Sequence, residues 1–182
     1  MDNLVINIAE KNDIQDILEI YGYYILNSPA TFEIDVPSIN EFSARVLTIQ
    51  KKYPYLTAKI DNKLTGFAYA APLRTRKAYD YSCETTIYLH HEYLNKSIGS
   101  RLYTTLFDYI KKMNILNIYA CITYANTESV FFHKKFGFQE VAHFHNCGYK
   151  HDTWHDILWL EKIIGNHTIP PATFINFNDL KL

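Results

Sequence analysis

The chain contains no apolar run approaching the roughly 20 residues that a bilayer-crossing helix requires. Its opening residues, MDNLVINIAEKND, lack a basic segment followed by an apolar stretch, so a secretory leader is not expected and the protein reads as soluble and cytoplasmic. An excess of charge of one sign is also missing. Lys plus Arg number 18 and Asp plus Glu 19, which argues against a nucleic-acid groove or an anionic membrane surface as the main partner and favours a small molecule. Cysteine is scarce and odd in number. Cys83, Cys121 and Cys147 form neither a disulfide framework nor a CxxC knuckle, and they read as small apolar filling. Eight histidines do not change this. The pairs His143/His145 and His151/His155 have no nearby Cys or carboxylate set at a recognised ligand spacing, so no metal site is expected. Internal repeats and low-complexity segments are absent as well.

What is present is one core's worth of apolar residues, 48% of 182, enough for a single domain and thin for two. We place that domain at 1–165, with 166–182 as an extended, proline-marked tail. Val5 to Ile8 reads as a short strand. Asn12 and Gln15 resemble a capping box opening a helix whose apolar positions are Ile14, Ile17, Leu18, Tyr21 and Ile25. Ser38 and Glu41 repeat the signal for a second helix reaching about Lys51, after a loop at Pro29–Glu33. Tyr55–Ile60 and Leu64–Ala71 form a hairpin across Asp61-Asn62-Lys63, and Ser82–His90 is a further strand. Then come a helix at Ile98–Met113, a strand at Ile115–Ile122, a helix at Thr127–Phe136, and strands at Phe138–Cys147 and Thr153–Leu160. The order predicts a mixed α/β fold with a largely antiparallel sheet flanked by helices.

Chemistry is expected where a strand runs into a helix, because helix N-termini present unpaired N–H groups to anions. At the junction after Tyr88-Leu89, Ser97, Gly99 and Ser100 keep side chains small where a backbone must approach phosphate oxygens, and Lys96 and Arg101 add positive charge. A second junction starts at Asn126, which either caps the next helix or also binds a ligand. On the strand before the first junction, alternation puts Glu84, Thr86 and Tyr88 on one face and Thr85, Ile87 and Leu89 on the other. Glu84 is the charged exception in an apolar strand. It is either a solvated carboxylate or a base able to deprotonate an ammonium group.

The segment Leu94-Asn95-Lys96-Ser97-Ile98-Gly99 resembles the R/Q-x-x-G-x-G/A coenzyme loop of the GNAT acetyltransferase superfamily, with Leu94 in place of Arg or Gln and Ser97 in place of the first glycine. Asn126 to Phe138 is similar to its N-x-x-A/S-x-x-x-Y-x-x-x-G-F pattern, with His133 where many relatives carry Tyr. Asn27-Ser28-Pro29-Ala30-Thr31-Phe32-Glu33, Arg74-x-Arg76-x-x-Tyr79, Cys83–His90, Gly148-Tyr149-Lys150 and Trp154-His155-Asp156 resemble, in order, blocks of the phosphinothricin (methionine sulfoximine) N-acetyltransferase family. The resemblance implies the GNAT fold, acetyl-CoA as donor without a metal, and a small anionic amino-acid-like acceptor such as phosphinothricin or methionine sulfoximine.

It also implies roles for individual residues. Glu84 serves as general base and His133 is available to protonate the departing thiolate. The coenzyme is held by Ile87, Tyr88, Leu89, Lys96, Ser97, Ile98, Gly99, Ser100, Arg101, Asn126 and Ser129. Phe32, Arg74, Arg76 and Tyr79 hold the acceptor, the arginines as forked donors for a carboxylate or phosphinate. A homodimer is implied, and 15 Tyr and 11 Phe supply aromatic surface beyond one core's need. Two other readings stay open: a GNAT enzyme acetylating a protein N-terminus, polyamine or aminoglycoside, and a coenzyme-binding sensor without catalysis.

Overall fold

A computed structural model describes residues 3–94 and 96–181. Its elements in chain order are β1 (Leu4–Ile8), α1 (Ile14–Asn27), α2 (Ile39–Gln50), β2 (Tyr55–Ile60), β3 (Lys63–Pro72), β4 (Ser82–Leu89), α3 (Ile98–Lys112), β5 (Asn117–Thr123), α4 (Thr127–Lys135), β6 (Gln139–Lys150) and β7 (Thr153–Ile163). The strands form one seven-stranded sheet in the order β1-β2-β3-β4-β5-β7-β6. Every neighbouring pair is antiparallel except β4 and β5. This is the mixed, largely antiparallel α/β arrangement that the element order predicts.

Each face of the sheet carries its own core. α3 is the better example, because Ile98, Leu102, Leu106 and Ile110 recur at helical spacing and all are buried, together with Tyr103 and Phe107. They meet Ala68, Ala70, Ile118, Ala120, Leu158 and Leu160 of the strands. Replacing a leucine in such a core by alanine costs about 2–5 kcal/mol. On the other face α1 and α2 bury Ile14, Ile17, Phe42 and Val46 against Tyr55 and Phe67. On that face α1 packs on β3 and β4, and α2 on β2.

Two local starts compare with expectation. Ser38 caps α2 by accepting from the Glu41 amide at 3.3 Å. At α1 the reciprocal contacts belong instead to Glu10 and Asp13. The Glu10 amide donates to Asp13 Oδ2 at 2.9 Å, and Lys59 pairs with the buried Asp13 at 2.6 Å. A carboxylate tied to a neighbouring strand outcompetes the Asn12 amide for this position.

Among the described residues beyond 166 there is one short 3₁₀ turn, Phe177–Asp179, and the segment returns to the body: Phe177 is buried in the α3-side core, with Phe174 and Leu180 packed against that core. Cys83 is buried as expected, but Cys121 and Cys147 are exposed, so these two are not core filling. Among the described residues no helix is long and apolar enough to cross a membrane.

Candidate active site

The site originates in a failure of strand pairing. β4 and β5 are hydrogen-bonded only where Ser82–Glu84 meet Asn117–Tyr119, yet β4 continues to Leu89 and β5 to Thr123. Past Glu84 the strands diverge, and one edge of β4 faces a cavity of 620 Å³ instead of a neighbouring strand. Backbone groups on such an edge must find another partner. Glu84, Ile87, Tyr88 and Leu89 line the cavity from β4, and Ser97, Ile98, Gly99 and Ser100 line it from the start of α3. Asn126, Ser129 and His133 close it from α4, with Phe32 on the far wall.

The α3 end suits an anion. Ser97 is the N-cap residue with φ 59°, ψ 9°, and its side chain makes no capping hydrogen bond, so the leading amides of a four-turn helix are left to a ligand. The positive φ shows why a glycine is favoured at this position; the chain accepts serine there at a conformational cost. Asn126 spends its side-chain oxygen on the Ser129 amide at 3.2 Å as the cap of α4, and its NH₂ end remains for a bound group. Lys96 and Arg101 stand outside the cavity wall. Lys96 lies 4.8 Å from the centre of the Tyr93 ring, and Arg101 donates to the Leu4 carbonyl at 3.2 Å.

Glu84 sits where the strands part. Burial raises its pKa above the ordinary carboxylate value, and the field of Arg74 partly opposes this. Among the described residues no side chain donates a hydrogen bond to its carboxylate, so its lone pairs are free for a substrate proton.

His133 has a different setting from the one expected. It is buried, with Nδ1 2.8 Å from the Ser129 carbonyl oxygen. That oxygen can only accept, so Nδ1 carries the proton and Nε2 accepts from the Tyr103 hydroxyl at 2.7 Å. The Thr85 hydroxyl, 3.1 Å from the Tyr103 oxygen, continues the chain. Desolvation lowers the His133 pKa to about 4, against a smaller upward push from the Ser129 carbonyl. The ring is neutral with both nitrogens engaged, so an acid role would require one of these contacts to break.

A strap crosses the open end of the splay. The carbonyls of three successive residues are held by three different strands: Pro29 by the Thr123 hydroxyl of β5 at 2.6 Å, Ala30 by the Tyr88 hydroxyl of β4 at 3.3 Å, and Thr31 by the buried Lys150 ammonium of β6 at 2.8 Å. Phe32 then lies directly over Gly148, where an added Cβ would come within 2.1 Å of its ring. The Tyr21 hydroxyl secures the other side through Thr31 at 2.8 Å and Glu33 at 3.0 Å.

Arg74, Arg76 and Tyr79 are exposed on the loop between β3 and β4 and are not part of the cavity wall. Only Arg74 reaches the site electrostatically, through Glu84. Sequence reasoning missed Tyr24, whose hydroxyl donates to the Leu89 carbonyl at 2.7 Å, and Cys121, an exposed residue that lines the cavity. Tyr24 had a signal: it follows Tyr21 by one helical turn on the inward face of α1. Cys121 had none beyond strand alternation.

The molecule's likeness to known proteins agrees with this geometry. The acetyltransferase (GNAT) domain family matches residues 6–159. Phosphinothricin N-acetyltransferase of Streptomyces viridochromogenes is 31% identical over 149 residues, 82% of this chain and 81% of the relative. The L-methionine sulfoximine/L-methionine sulfone acetyltransferase of Salmonella typhimurium is 26% identical over 93% of this chain and 99% of that protein. A GNAT superfamily phosphinothricin acetyltransferase of Sinorhizobium meliloti, solved in complex with AcCoA, superposes with a TM-score of 0.87 at 30% identity, covering 93% of this chain and 92% of that one. With its sheet splayed between β4 and β5 and an uncapped helix start beside the gap, the chain belongs to the GNAT acetyltransferase superfamily and, within it, to the phosphinothricin N-acetyltransferase family.

Proposed function

We propose that this acetyl-CoA-dependent acetyltransferase acetylates the amine of a small anionic amino-acid-like acceptor, of the phosphinothricin or methionine sulfoximine class, with Glu84 as general base. The observation that carries the reading is the position of Glu84: a half-buried carboxylate of raised pKa at the point where β4 and β5 part, within the field of Arg74. Acetyl-CoA supplies an acetyl thioester. The free amides at the start of α3 hold its pyrophosphate, Asn126 and Ser129 steady the arm, and the unpaired edge of β4 from Ile87 to Leu89 aligns the pantetheine.

Glu84 takes the proton of the acceptor's ammonium group, directly or through one water, and the freed amine attacks the thioester carbon. Backbone N–H near Leu89 stabilises the charge that develops on the carbonyl oxygen. A thiol of pKa about 8.5 leaves near neutral pH without a strong acid, which fits an engaged, neutral His133. Arg74 and Arg76 bind the acceptor's acidic group, Tyr79 covers it, and Phe32 forms the wall held by the strap. Lys96 and Arg101 add long-range attraction for the phosphates.

A cytoplasmic homodimer is part of this proposal, with the exposed Phe144, Tyr149 and Trp154 of the β6–β7 pair as apolar surface for the second copy. So is a catalytic domain of residues 1–165, to which 166–182 attach through Phe177. The test is thiol release from acetyl-CoA with phosphinothricin, methionine sulfoximine, ordinary amino acids, spermidine and an aminoglycoside, run beside Glu84→Gln. Turnover confined to the anionic amino acids and lost in the variant is expected. Turnover with spermidine or the aminoglycoside alone would overturn the acceptor class, and silence with retained acetyl-CoA binding would leave a sensor.

A further inference from the structure

The hairpin of β6 and β7 carries a second polar cluster, outside the cavity. Phe144 stands opposite Ile157 and Gly148 opposite His155, so three β6 residues, 145–147, face the single residue Asp156 of β7. The bulge turns through Asn146 at φ 48°. Its amide donates to Asp156 Oδ1 at 2.7 Å, while Oδ2 receives His143 Nε2 at 2.8 Å and His145 Nδ1 at 3.0 Å. Two imidazole nitrogens and one carboxylate oxygen, all within 4.8 Å of one another, therefore converge on one point.

We propose that His143, His145 and Asp156 form a three-ligand site for a divalent transition-metal ion of the zinc type, with water completing the coordination. The donor set is right for that ion, since two imidazoles and a carboxylate leaving one open position recur in zinc sites. The spacing is close. Ligands about 2.1 Å from a tetrahedral ion lie roughly 3.4 Å apart, about half an ångström more than the present N···O distances, and small ring rotations supply the difference. A neutral imidazole need only move its proton to its other nitrogen to free the inward one for the ion, and the Asp156 carboxylate offsets part of the ion's charge.

The outer partners hold the ligands in place. The Asn146 amide fixes the carboxylate through the oxygen not needed for the metal, and the Tyr124 ring stacks on His143 with centroids 5.0 Å apart. The His145 side chain is 70% exposed, against 26% and 24% for His143 and Asp156, which leaves an entry path and room for water. Asp156 also accepts the Tyr124 amide on its backbone oxygen at 2.9 Å. An ion here would tie the bulge to the turn that leads into Asn126.

The test uses tag-free, chelator-treated full-length protein, titrated with Zn(II) by calorimetry and with Co(II) by visible absorption. One ion per chain, a Co(II) d–d spectrum of low coordination number and a raised melting temperature are expected. His145→Ala, on an exposed ring, should weaken binding roughly 10-fold or more, the loss that even an outer partner brings, with an unchanged circular dichroism spectrum. His90→Ala/His91→Ala should bind as the parent does. Absence of binding, or parent-like titration by both His145→Ala and Asp156→Asn, would show the cluster to be a hydrogen-bonded bulge and overturn the proposal.

Discussion

The Tyr103 hydroxyl lies 2.7 Å from Nε2 of His133, across the ring from the Nδ1–H that the Ser129 carbonyl accepts at 2.8 Å. Tyr103 comes from α3 and His133 from α4, so this contact ties together two helices whose N-termini line the cavity. It also fixes the tautomer. Its consequence for pH follows from the lowered pKa, about 4 against an ordinary 6.5. Between these values the unfolded chain binds a proton that the folded ring does not, so stability contributed by His133 is complete above about pH 6.5 and lost as pH falls to about 4. The size is roughly 2–4 kcal/mol. The ring Hε1 resonance of His133 should show no titration step above pH 5, and the activity profile should show no limb belonging to it.

Glu84 has the opposite kind of shift, upward through burial. Activity should rise with pH through its raised pKa, and Glu84→Gln should remove that limb and lower kcat by about 10²–10⁴-fold, the usual worth of a general base. The stability sign is separate. A carboxyl with a raised folded pKa favours the fold while protonated and loses that contribution as pH rises through the raised value, so above that value the ionised Glu84 is a cost that Gln relieves. A variant that is inactive and melts higher than the parent is expected; one that is inactive because it is unfolded would contradict this account.

Ser97→Gly tests the coenzyme loop. Serine at φ 59° carries a Cβ in a region that costs L-residues about 1–2 kcal/mol, part of which glycine returns to the unfolded chain as entropy. The variant should be as stable as the parent or slightly more so, and should bind acetyl-CoA more tightly because the turn before α3 is no longer strained. Calorimetric titration checks the second point, thermal melting the first.

These residues mark where sequence reading works and where it stops. α3, α4 and the strand hairpin were legible because helical periodicity, the Asn126 and Ser38 caps and the Asp61-Asn62 turn are local signals. Glu84 stood out as a lone charge in an apolar strand. The setting of His133 was not legible because it depends on Tyr103, 30 residues earlier and anonymous among the apolar positions of α3. The strap was visible as a loop, but its anchors on Thr123 and Lys150 are 94 and 119 residues away. Asp156 lies 11 and 13 residues from its histidines, and only a bulge of three residues against one brings them together.

Lys150 should act on the acceptor through the strap. Its buried ammonium meets the Thr31 carbonyl, and desolvation lowers its pKa, with Glu33 opposing. Lys150→Met keeps the length and apolar stem but leaves that carbonyl without its donor, a loss of about 1–3 kcal/mol. The expected kinetic signature is a raised KM for the acceptor with the KM for acetyl-CoA little changed. Equal effects on both would mean that the lysine supports the whole fold and not this wall.

Gly148→Ala approaches the same wall from the sheet. A Cβ there would lie 2.1 Å from Phe32 Cε2 and 2.5 Å from Cζ, closer than atoms can approach, so one side must yield. The Gly148 backbone is locked in the β6–β7 ladder opposite His155, whereas Phe32 is 36% exposed at the outer edge of the strap. The ring will therefore move rather than the strand. Because it moves into solvent-facing space, the stability cost should stay within about 1–2 kcal/mol, well below that of overpacking a closed core. The pocket changes more than the fold does. Displacing Phe32 alters the cavity that it lines together with Glu84, so kcat/KM for the acceptor should fall while acetyl-CoA affinity, which the proposal assigns to the α3 end, is retained. Pairing Gly148→Ala with Phe32→Leu decides the matter: the smaller side chain should recover much of the loss if the clash with the ring is its cause, and recover nothing if the strand itself is distorted.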